Sequence, residues 1–233
     1  MKYGVVISAR IDSSRLPGKA LLPLGGVPMI IFLLRRLLPS QKADGIIFAT
    51  TSNTEDDKLA DIVAEEGIPV FRGAASDVMR RYVDVAHEYN IKYVVRVTGD
   101  CPFVDAKSLD YCLKKCDEFG VFDLATTKSM FPIGIDYEIY RASIMEGLHI
   151  RNNVSQDDRE HLTKYFYDHS NRFNIHQIKP VTKWGAKRYT YTVDTLSDYK
   201  FAQRITMGFT SIYFSIESLI TYSQTEGLKE NEV

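Results

Sequence analysis

Short apolar runs alternate with longer amphipathic stretches over the first half of this 233-residue chain. The apolar runs predict strands at Tyr3–Ser8, Gly45–Thr50, Pro69–Phe71, Tyr93–Thr98 and Phe122–Thr126. The amphipathic stretches predict helices at Pro28–Leu38, Glu55–Glu66, Asp77–Tyr89 and Asp105–Phe119. Because strands that alternate with helices through short connections pair in parallel, the pattern predicts a three-layer α/β fold. Its mostly parallel sheet would carry helices on both faces.

The alternation changes after Thr127, and we expect residues 127–181 to form an excursion that carries substrate specificity or a dimer contact. Within it, a strand is predicted at Gly134–Tyr140 and one helix at Ser155–Ser170. Further strands are predicted at Asn174–Ile178 and Arg188–Val193, and helices at Thr195–Met207 and Ile216–Tyr222. We expect one domain over residues 1–225, followed by a polar tail at 226–233.

The composition argues against several classes of partner. The formal net charge is −1, so the chain has no overall positive field to hold a nucleic acid. The apolar runs fall well short of the roughly 20 residues of a membrane span, and no secretory signal pattern opens the sequence. We therefore expect a cytoplasmic protein that binds neither nucleic acid nor membrane.

The three cysteines do not form a disulfide framework, because they are few and odd in number. Cys112 and Cys116 lie four residues apart on a predicted helix, a spacing that could hold a metal. Two further ligands at a matching spacing are missing. These cysteines are therefore interpreted as small buried apolar residues.

The loop after the first predicted strand concentrates positive charge. It contains Arg10, Arg15 and Lys19, and Gly18 allows its backbone to approach a ligand closely. Three cations and several backbone N–H groups at a strand's carboxyl end suit a polyphosphate. The loop matches neither a Walker loop nor a Gly-x-Gly-x-x-Gly turn, which argues against a kinase or a dinucleotide-binding protein. A solvated basic loop is the alternative interpretation.

Two aspartates follow predicted strands farther along the chain. Asp100 stands in the run Thr-Gly-Asp-Cys-Pro that begins at Thr98, and Asp194 precedes the helix predicted at Thr195. Carboxylates at this edge of the sheet suit Mg²⁺, which takes one or two carboxylates together with phosphate oxygens. Each aspartate could instead cap the turn or helix that follows it. Whether one metal or two would bind is open.

Other polar residues give weaker signals. The run Thr50–Asn53 could form a base pocket or an ordinary turn, and Arg72 could touch a ribose or a base edge. Arg80 and Arg81 could touch the same groups, and an exposed helix face explains these two residues equally well. His161 could reach a substrate, although a lone helical histidine is more often structural. Neither a cysteine–histidine pairing nor a Gly-x-Ser-x-Gly elbow is found, which argues against covalent hydrolysis.

Eight segments together resemble the nucleotide-sugar cytidylyltransferases, the superfamily of the CMP-Kdo and CMP-sialic acid synthetases. The resemblance is greatest to the branch of spore coat polysaccharide biosynthesis protein F. The segments occur in order at 9–19, 23–29, 49–52, 70–73, 77–82, 95–102, 159–163 and 192–195. The first and sixth are specific in combination. The resemblance implies a nucleotide-diphosphosugar transferase-like, Rossmann-like fold.

This resemblance also implies a reaction, in which CMP passes from CTP to a sugar or sugar-acid-like acceptor and pyrophosphate is released. Such enzymes make precursors of cell-surface polysaccharides, and a homodimer is implied. The implied catalytic residues are Arg10, Lys19 and Asp100, with Mg²⁺ on Asp100 and Asp194. The implied nucleotide-binding residues are Ser8, Ala9, Arg10, Arg15, Lys19, Thr51, Ser52, Arg72, Asp77, Thr98 and Gly99, and the implied substrate-binding residues are Asp136, Glu138 and His161.

Two other functions stay open. A glycosyltransferase of the same fold would use a nucleotide sugar, but the expected Asp-x-Asp element is missing around Asp100. A non-catalytic nucleotide-binding module would bind CTP without releasing pyrophosphate. The acceptor is also open, because the acid-sugar motifs of the ulosonic acid synthetases are not recognisable; a keto-sugar acid, another sugar, a polyol and a phosphonate are the candidates.

Overall fold

The computed structural model describes residues 1–151, 154–181, 184 and 189–225. The polar tail predicted at 226–233, and Arg188 of a predicted strand, lie outside this range. The strands are β1 (Tyr3–Ser8), β2 (Pro23–Leu24), β3 (Val27–Pro28), β4 (Gly45–Thr51), β5 (Val70–Gly73), β6 (Tyr93–Thr98), β7 (Leu124–Thr126), β8 (Glu138–Arg141) and β9 (Ile175–Gln177). Within the described residues, seven of them form one sheet in the order β5-β4-β1-β6-β8-β7-β9, and β2 pairs with β3.

The sheet is mostly parallel, as the alternating pattern predicts. β5, β4, β1 and β6 are mutually parallel, with Val5 in register with Ile46 on one side and Val95 on the other. β8 is antiparallel to both β6 and β7, and β9 is parallel to β7. The carboxyl ends of four neighbouring strands therefore meet at one edge, which is where such sheets bind ligands.

Helices cover both faces of the sheet. They are α1 (Met29–Leu37), α2 (Asp57–Glu65), α3 (Val78–Glu88), α4 (Ala106–Phe119), α5 (Ala142–His149), α6 (Gln156–Glu160), α7 (Lys164–Asp168), α8 (Leu196–Met207) and α9 (Ile216–Thr225). Successive side chains of a strand point to opposite faces. Val5 and Ile7 accordingly pack with α1 and α4, whereas Val6 packs with α3 and α5. Two apolar layers thus hold β1 rigidly between them.

Side-chain caps set where several helices begin. Asp77 accepts a hydrogen bond from the backbone of Arg80 at the start of α3, and Asp105 accepts one from Ser108 at the start of α4. Thr195 and Asp198 form a reciprocal capping box at the start of α8. Such caps satisfy N–H groups that the helix itself leaves unpaired, each contributing about 1 kcal/mol.

Several predicted elements differ from the structure. The single helix predicted at Ser155–Ser170 is wrong: it is broken between α6 and α7, where Leu162 is buried with a φ of 33°. Helix α5 was not predicted. The strand predicted from Gly134 begins only at Glu138, and the described part of the strand predicted at Arg188–Val193 is reduced to a bridge between Ile133 and Thr190. The short hairpin of β2 and β3 was also not predicted. The other differences fall after Thr127, where tertiary contacts override the local pattern.

No helix within the described residues is long and apolar enough to cross a membrane. The longest, α4, has 14 residues and carries Cys112 and Cys116 on its buried face. Burial raises the pKa of Cys116 to about 12, so its thiol stays protonated at neutral pH. Both cysteines therefore behave as small core residues, as their sequence context predicts.

Candidate active site

The loop after β1 folds back on itself at the carboxyl edge of the sheet. Its Ile11 carbonyl accepts hydrogen bonds from the backbone N–H groups of Ser13 and Gly18, at 2.9 and 3.1 Å. Gly18 has a φ of 69°, a left-handed conformation that favours glycine. The buried Asp56 carboxylate accepts a hydrogen bond from the Ile11 N–H at 2.7 Å. The loop is thereby tied to the sheet.

Lys19 joins the ends of two distant segments. Its Nζ lies 2.8 Å from Asp194 Oδ1, 2.8 Å from the Val193 carbonyl and 3.3 Å from Asp100 Oδ2. Arg15 reaches the same Asp194 oxygen at 2.9 Å. Burial by itself would raise the pKa of Asp100, but the Lys19 ammonium and neighbouring hydrogen bonds lower it below its usual value. Both aspartates predicted as a pair thus face the cationic loop.

These residues border a cleft of about 350 Å³. The predicted site residues that line it are Ser8, Ala9, Arg10, Arg15, Lys19, Thr98, Gly99, Asp100, His161 and Asp194. Further lining comes from Asp12, Ser13, Ser14, Ala20, Val78, Arg81 and Glu160. The cleft therefore brings together the loop after β1, the end of β6, the start of α3 and the end of α6.

The ends of β1 and β6 touch at Gly99. Its N–H donates to the Ser8 carbonyl at 2.8 Å, and a Cβ at this position would lie 2.5 Å from Ala9 Cβ. Only glycine fits this approach without a shift of the backbone. On the other face, Ser8 Oγ accepts a hydrogen bond from the buried Tyr82 hydroxyl at 2.9 Å. The floor of the cleft is therefore tightly packed.

Three predicted nucleotide-binding residues lie beside the cleft, at the ends of β4 and β5. The Thr51 hydroxyl donates to the buried Asp56 carboxylate, which also holds the Ile11 N–H. Arg72 donates from Nε to the Thr51 carbonyl at 3.0 Å and forms an ion pair with Asp57. The Ser52 N–H donates to the Gly73 carbonyl at 2.9 Å. These contacts brace the two strand ends against each other.

Asp77, a fourth predicted nucleotide-binding residue, also lies outside the cleft lining. It caps α3 through one oxygen and pairs with Arg159 Nη1 at 2.9 Å through the other. Arg159 in turn donates to the His149 carbonyl at 3.1 Å. This ion pair links the start of α3 to α6 and to the end of α5, and so it holds the helices that form one wall of the cleft.

Glu138 and Asp136 line a smaller polar cavity of about 40 Å³ that shares Thr98 with the cleft. Glu138 is 3% exposed and accepts from Arg96, Thr163 and Tyr167 at 2.8 Å each, while Lys128 lies at 3.0 Å. Burial would raise the pKa of Glu138, but Arg96 and Lys128 lower it. Its oxygens are therefore already engaged by the protein.

Asp136 differs in its environment. It accepts one hydrogen bond from the Gly134 N–H at 3.0 Å. Burial raises its pKa above the usual value, and the nearby negative charge of Glu138 raises it further. The negative charge of Asp136 is therefore disfavoured in the fold. Its carboxyl group lines the small cavity that reaches the cleft at Thr98.

Arg81 is a cleft residue for which the sequence left a ligand contact and an exposed helix face equally open. The interpretation of Arg81 as part of an exposed helix face is wrong, because the residue is 4% exposed. Arg80 does lie on the exposed face, where it pairs with Asp84. The helical period is the available signal: residue 81 lies four positions before buried Val85, on the same face of α3.

The carboxylates of Asp100 and Asp194 fit a divalent cation in their chemistry. Both lie within 3.3 Å of one ammonium group, so they share one small volume at the edge of the cleft. Mg²⁺ binds in proteins through one or two carboxylates, completed by phosphate oxygens and water. The surrounding cations would hold those phosphates.

Comparison with known proteins connects this arrangement to nucleotide chemistry. A family model described as cytidylyltransferase matches residues 5–233. Spore coat polysaccharide biosynthesis protein SpsF of Bacillus subtilis is 30% identical over 202 residues, which are 84% of this chain and 82% of that protein. A solved cytidylyltransferase from Leptospira borgpetersenii is 34% identical, with a TM-score of 0.92 over 100% of this chain and 98% of that one.

A more distant solved structure shares the fold. It is CMP:2-keto-3-deoxy-manno-octonic acid synthetase complexed with CTP, at 19% identity and a TM-score of 0.70. The match covers 89% of this chain and 99% of that one. The seven-stranded, mostly parallel sheet is therefore an architecture that also occurs in a nucleotide-binding synthetase.

Proposed function

Because this chain belongs to the cytidylyltransferase family, we propose that its cleft binds CTP and transfers CMP to the hydroxyl of a sugar or sugar-acid acceptor. Pyrophosphate is the other product. The observation that carries the proposal is the junction of Lys19 with Asp100 and Asp194, because it sets cations and metal-type carboxylates side by side. Phosphoryl transfer needs that combination more than it needs a protein nucleophile.

In this proposal the cations of the first loop bind the triphosphate. Arg10, Arg15 and Lys19 line the cleft and neutralise the charge that grows on the leaving pyrophosphate. The acceptor oxygen attacks the α-phosphorus, the bond from that phosphorus to the bridging oxygen breaks, and pyrophosphate leaves with the electron pair. The hydroxyl proton passes to solvent. Backbone N–H groups of the loop hold the phosphates in line for this displacement.

Asp100 and Asp194 are the proposed ligands of Mg²⁺. When bound, the ion would neutralise phosphate charge and acidify the attacking hydroxyl. The low pKa of Asp100 supports this role, since the carboxylate stays ionised and ready to bind a cation. Lys19 holds both carboxylates in place and keeps them from repelling each other.

We propose that CTP is the nucleotide and that the acceptor is a sugar or a sugar acid. The solved synthetase that shares this fold was complexed with CTP and is named for a sugar-acid product. His161, at the end of α6, lines the cleft and is the proposed acceptor contact. Asp136 and Glu138 act on the acceptor side through the smaller cavity, where Glu138 holds Thr163 next to His161.

We propose that the nucleotide base binds beside the cleft, at the ends of β4 and β5. Thr51, Ser52 and Arg72 present backbone and side-chain groups at the ends of β4 and β5. Asp77 holds α3 in position next to them. We also propose that the protein acts in the cytoplasm, as a homodimer joined through residues 127–181, in the synthesis of polysaccharide precursors. The name of the Bacillus subtilis relative supports that pathway class.

The test is pyrophosphate release from CTP and Mg²⁺ in the presence of a panel of sugars, sugar acids, polyols and phosphonates. We expect release with one acceptor class, and we expect Asp100→Asn to lower the rate at least about 1,000-fold. Asp61→Asn, on the exposed face of α2, is the matched control and should retain the full rate. No release with any acceptor would favour a binding module, and turnover of a nucleotide sugar would favour a glycosyltransferase.

A further inference from the structure

Arg81 is a buried arginine whose guanidinium makes no hydrogen bond or ion pair within the part of the chain that the structure describes. The residue is 4% exposed, and its Nε is sealed from solvent without a hydrogen bond. Burial lowers the pKa of Arg81, and the positive charge of Arg10 lowers it further, although the more distant carboxylates of Asp56 and Asp77 oppose this. A buried cation of this kind is costly to the fold and strongly attracts an anion.

The other buried arginine of the described residues has a different environment, because its guanidinium is hydrogen-bonded to backbone carbonyls. Arg36 is 1% exposed, and its guanidinium donates to the carbonyls of Phe103 at 3.0 Å and Val104 at 3.2 Å, and to that of Ile212. Its hydrogen bonds are used to hold the backbone together. Arg81 makes no comparable contact with the described residues, so a structural role of the Arg36 kind does not account for it.

Arg81 lies where its charge can act on a ligand of the cleft. It lines the cleft from α3, across from the loop that carries Arg10. Arg15 and Lys19 in the same cleft are already paired with Asp194. Arg10 and Arg81, in contrast, have no ion-pair partner among the described residues. Within the described lining, these two guanidinium groups are therefore the cations that no ion pair occupies.

We infer that Arg81 binds a phosphate or carboxylate group of a ligand in the cleft and is a recognition residue for that oxyanion. A guanidinium can donate two parallel hydrogen bonds to either group, and such charge-assisted bonds are stronger than those between neutral groups. The inference rests on the proposed function, since CTP and an acidic acceptor are the two sources of such a group. It adds a contact from α3 to the cations of the first loop.

The test compares Arg81→Met and Arg81→Lys with Arg80→Met, a matched control on the exposed face of the same helix. Calorimetric titration would use three probes. Two of them are oxyanions, namely pyrophosphate and the sugar acid 3-deoxy-manno-octulosonate, and the third is cytidine, which carries no oxyanion. We expect Arg81→Met to weaken binding of at least one oxyanion probe tenfold or more, by roughly the loss of one charged hydrogen bond. Arg81→Lys should recover part of the affinity, while Arg80→Met should bind all three probes normally.

The two oxyanion probes distinguish the sources. A loss confined to pyrophosphate assigns Arg81 to the triphosphate, and a loss confined to the sugar acid assigns it to the acceptor. Unchanged binding of both by Arg81→Met, or failure of the wild-type protein to bind either, overturns the inference. Failure of the proposed function would give a different result. The wild-type protein would then bind pyrophosphate through Arg81 but would release none from CTP.

A second readout separates recognition from a structural role. Without ligand, Arg81→Met should unfold at the same temperature as the wild-type protein or higher, because it removes a buried charge that has no partner. A structural arginine would instead lower the unfolding temperature when it is replaced. Clear destabilisation of Arg81→Met, or its failure to fold, would overturn the inference.

Discussion

The ammonium group of Lys19 lies 2.8 Å from the carboxylate of Asp194, although 175 positions separate the two residues in the chain. The same nitrogen is 3.3 Å from Asp100, and its side chain is largely buried. In the proposed reaction Lys19 therefore has two tasks. It binds phosphate, and it acts as the internal counterion of two carboxylates that would otherwise repel each other.

Lys19→Met should separate these tasks. We expect the rate of pyrophosphate release to fall at least about 100-fold, because a charged donor to the triphosphate is lost. We also expect Mn²⁺ to bind the nucleotide-free protein about tenfold more tightly, because the ammonium no longer competes for Asp100 and Asp194. Paramagnetic resonance titration with Mn²⁺ measures this second effect without any turnover.

The control for that titration is Lys115→Met, which replaces a half-buried lysine on α4, remote from the cleft lining, that pairs with Glu118. It should leave both the rate and the Mn²⁺ affinity unchanged. Weaker Mn²⁺ binding by Lys19→Met would contradict the counterion role, because it would mean that the lysine organises the carboxylates without competing for them.

Glu138→Gln tests the polar cluster behind the cleft. The buried Glu138 carboxylate neutralises Arg96, which is itself largely buried, and it also accepts from the Thr163 hydroxyl. Removing one charge of a buried pair leaves the other uncompensated, so we expect a loss of about 3 kcal/mol in the free energy of unfolding. Urea denaturation measures it.

Glu118→Gln provides the comparison, since that exposed carboxylate on α4 pairs with Lys115 at the surface. Its free energy of unfolding should change by no more than about 0.5 kcal/mol. A loss below about 1 kcal/mol in Glu138→Gln would show that Arg96 finds another partner and that the cluster does not depend on Glu138.

The parallel half of the fold could be predicted from sequence because its signals are local. The strands β1, β4, β5 and β6 each overlap a short apolar run, and the caps at Asp77 and Asp105 stand where the following helices begin. The facing of Lys19 and Asp100 follows from the same logic, since both come after strands whose carboxyl ends share an edge.

The helix predicted at Ser155–Ser170 could not be corrected from local pattern. The break at Leu162 depends on burial of that side chain and on the hydrogen bond from Thr163 to Glu138, 25 positions away. The choice between the two interpretations of Arg81 stayed open for a related reason. Its stem packs beside Gly73 at the end of β5, so its burial depends on a neighbour that only the folded chain provides.

Asp136→Asn should show a pH-dependent gain in stability. Burial raises the pKa of Asp136 above its ordinary value near 3.8, so the folded protein binds its proton more tightly than the unfolded chain does. Stability is therefore lost as the pH rises from about 3.8 through the raised pKa, and ionised Asp136 opposes folding above it. The neutral asparagine removes this penalty and can still accept from the Gly134 N–H.

We expect the unfolding temperature of Asp136→Asn to exceed that of the wild-type protein at pH 7, and the difference to shrink as the pH approaches 4. Differential scanning calorimetry across that range measures both. Asp61→Asn, on the exposed face of α2, should show no such trend. A difference that grows on acidification would mean that the carboxylate, not the carboxylic acid, is favoured in the fold.

Gly99→Ala tests the close approach of β1 and β6 beneath the cleft. The added Cβ would lie 2.5 Å from Ala9 Cβ and 3.2 Å from the Ser8 carbonyl oxygen, so the two strand ends must move apart. We expect a loss of about 1–3 kcal/mol in the free energy of unfolding, together with weaker CTP binding, because the same shift displaces the loop that carries Arg10. Gly147→Ala, in α5, is the matched control: its Cβ meets nothing within 4 Å, and it should stabilise the protein by about 0.5–1 kcal/mol. Equal behaviour of the two alanine variants in urea denaturation and CTP titration would show that the contact at Gly99 does not set the shape of the cleft.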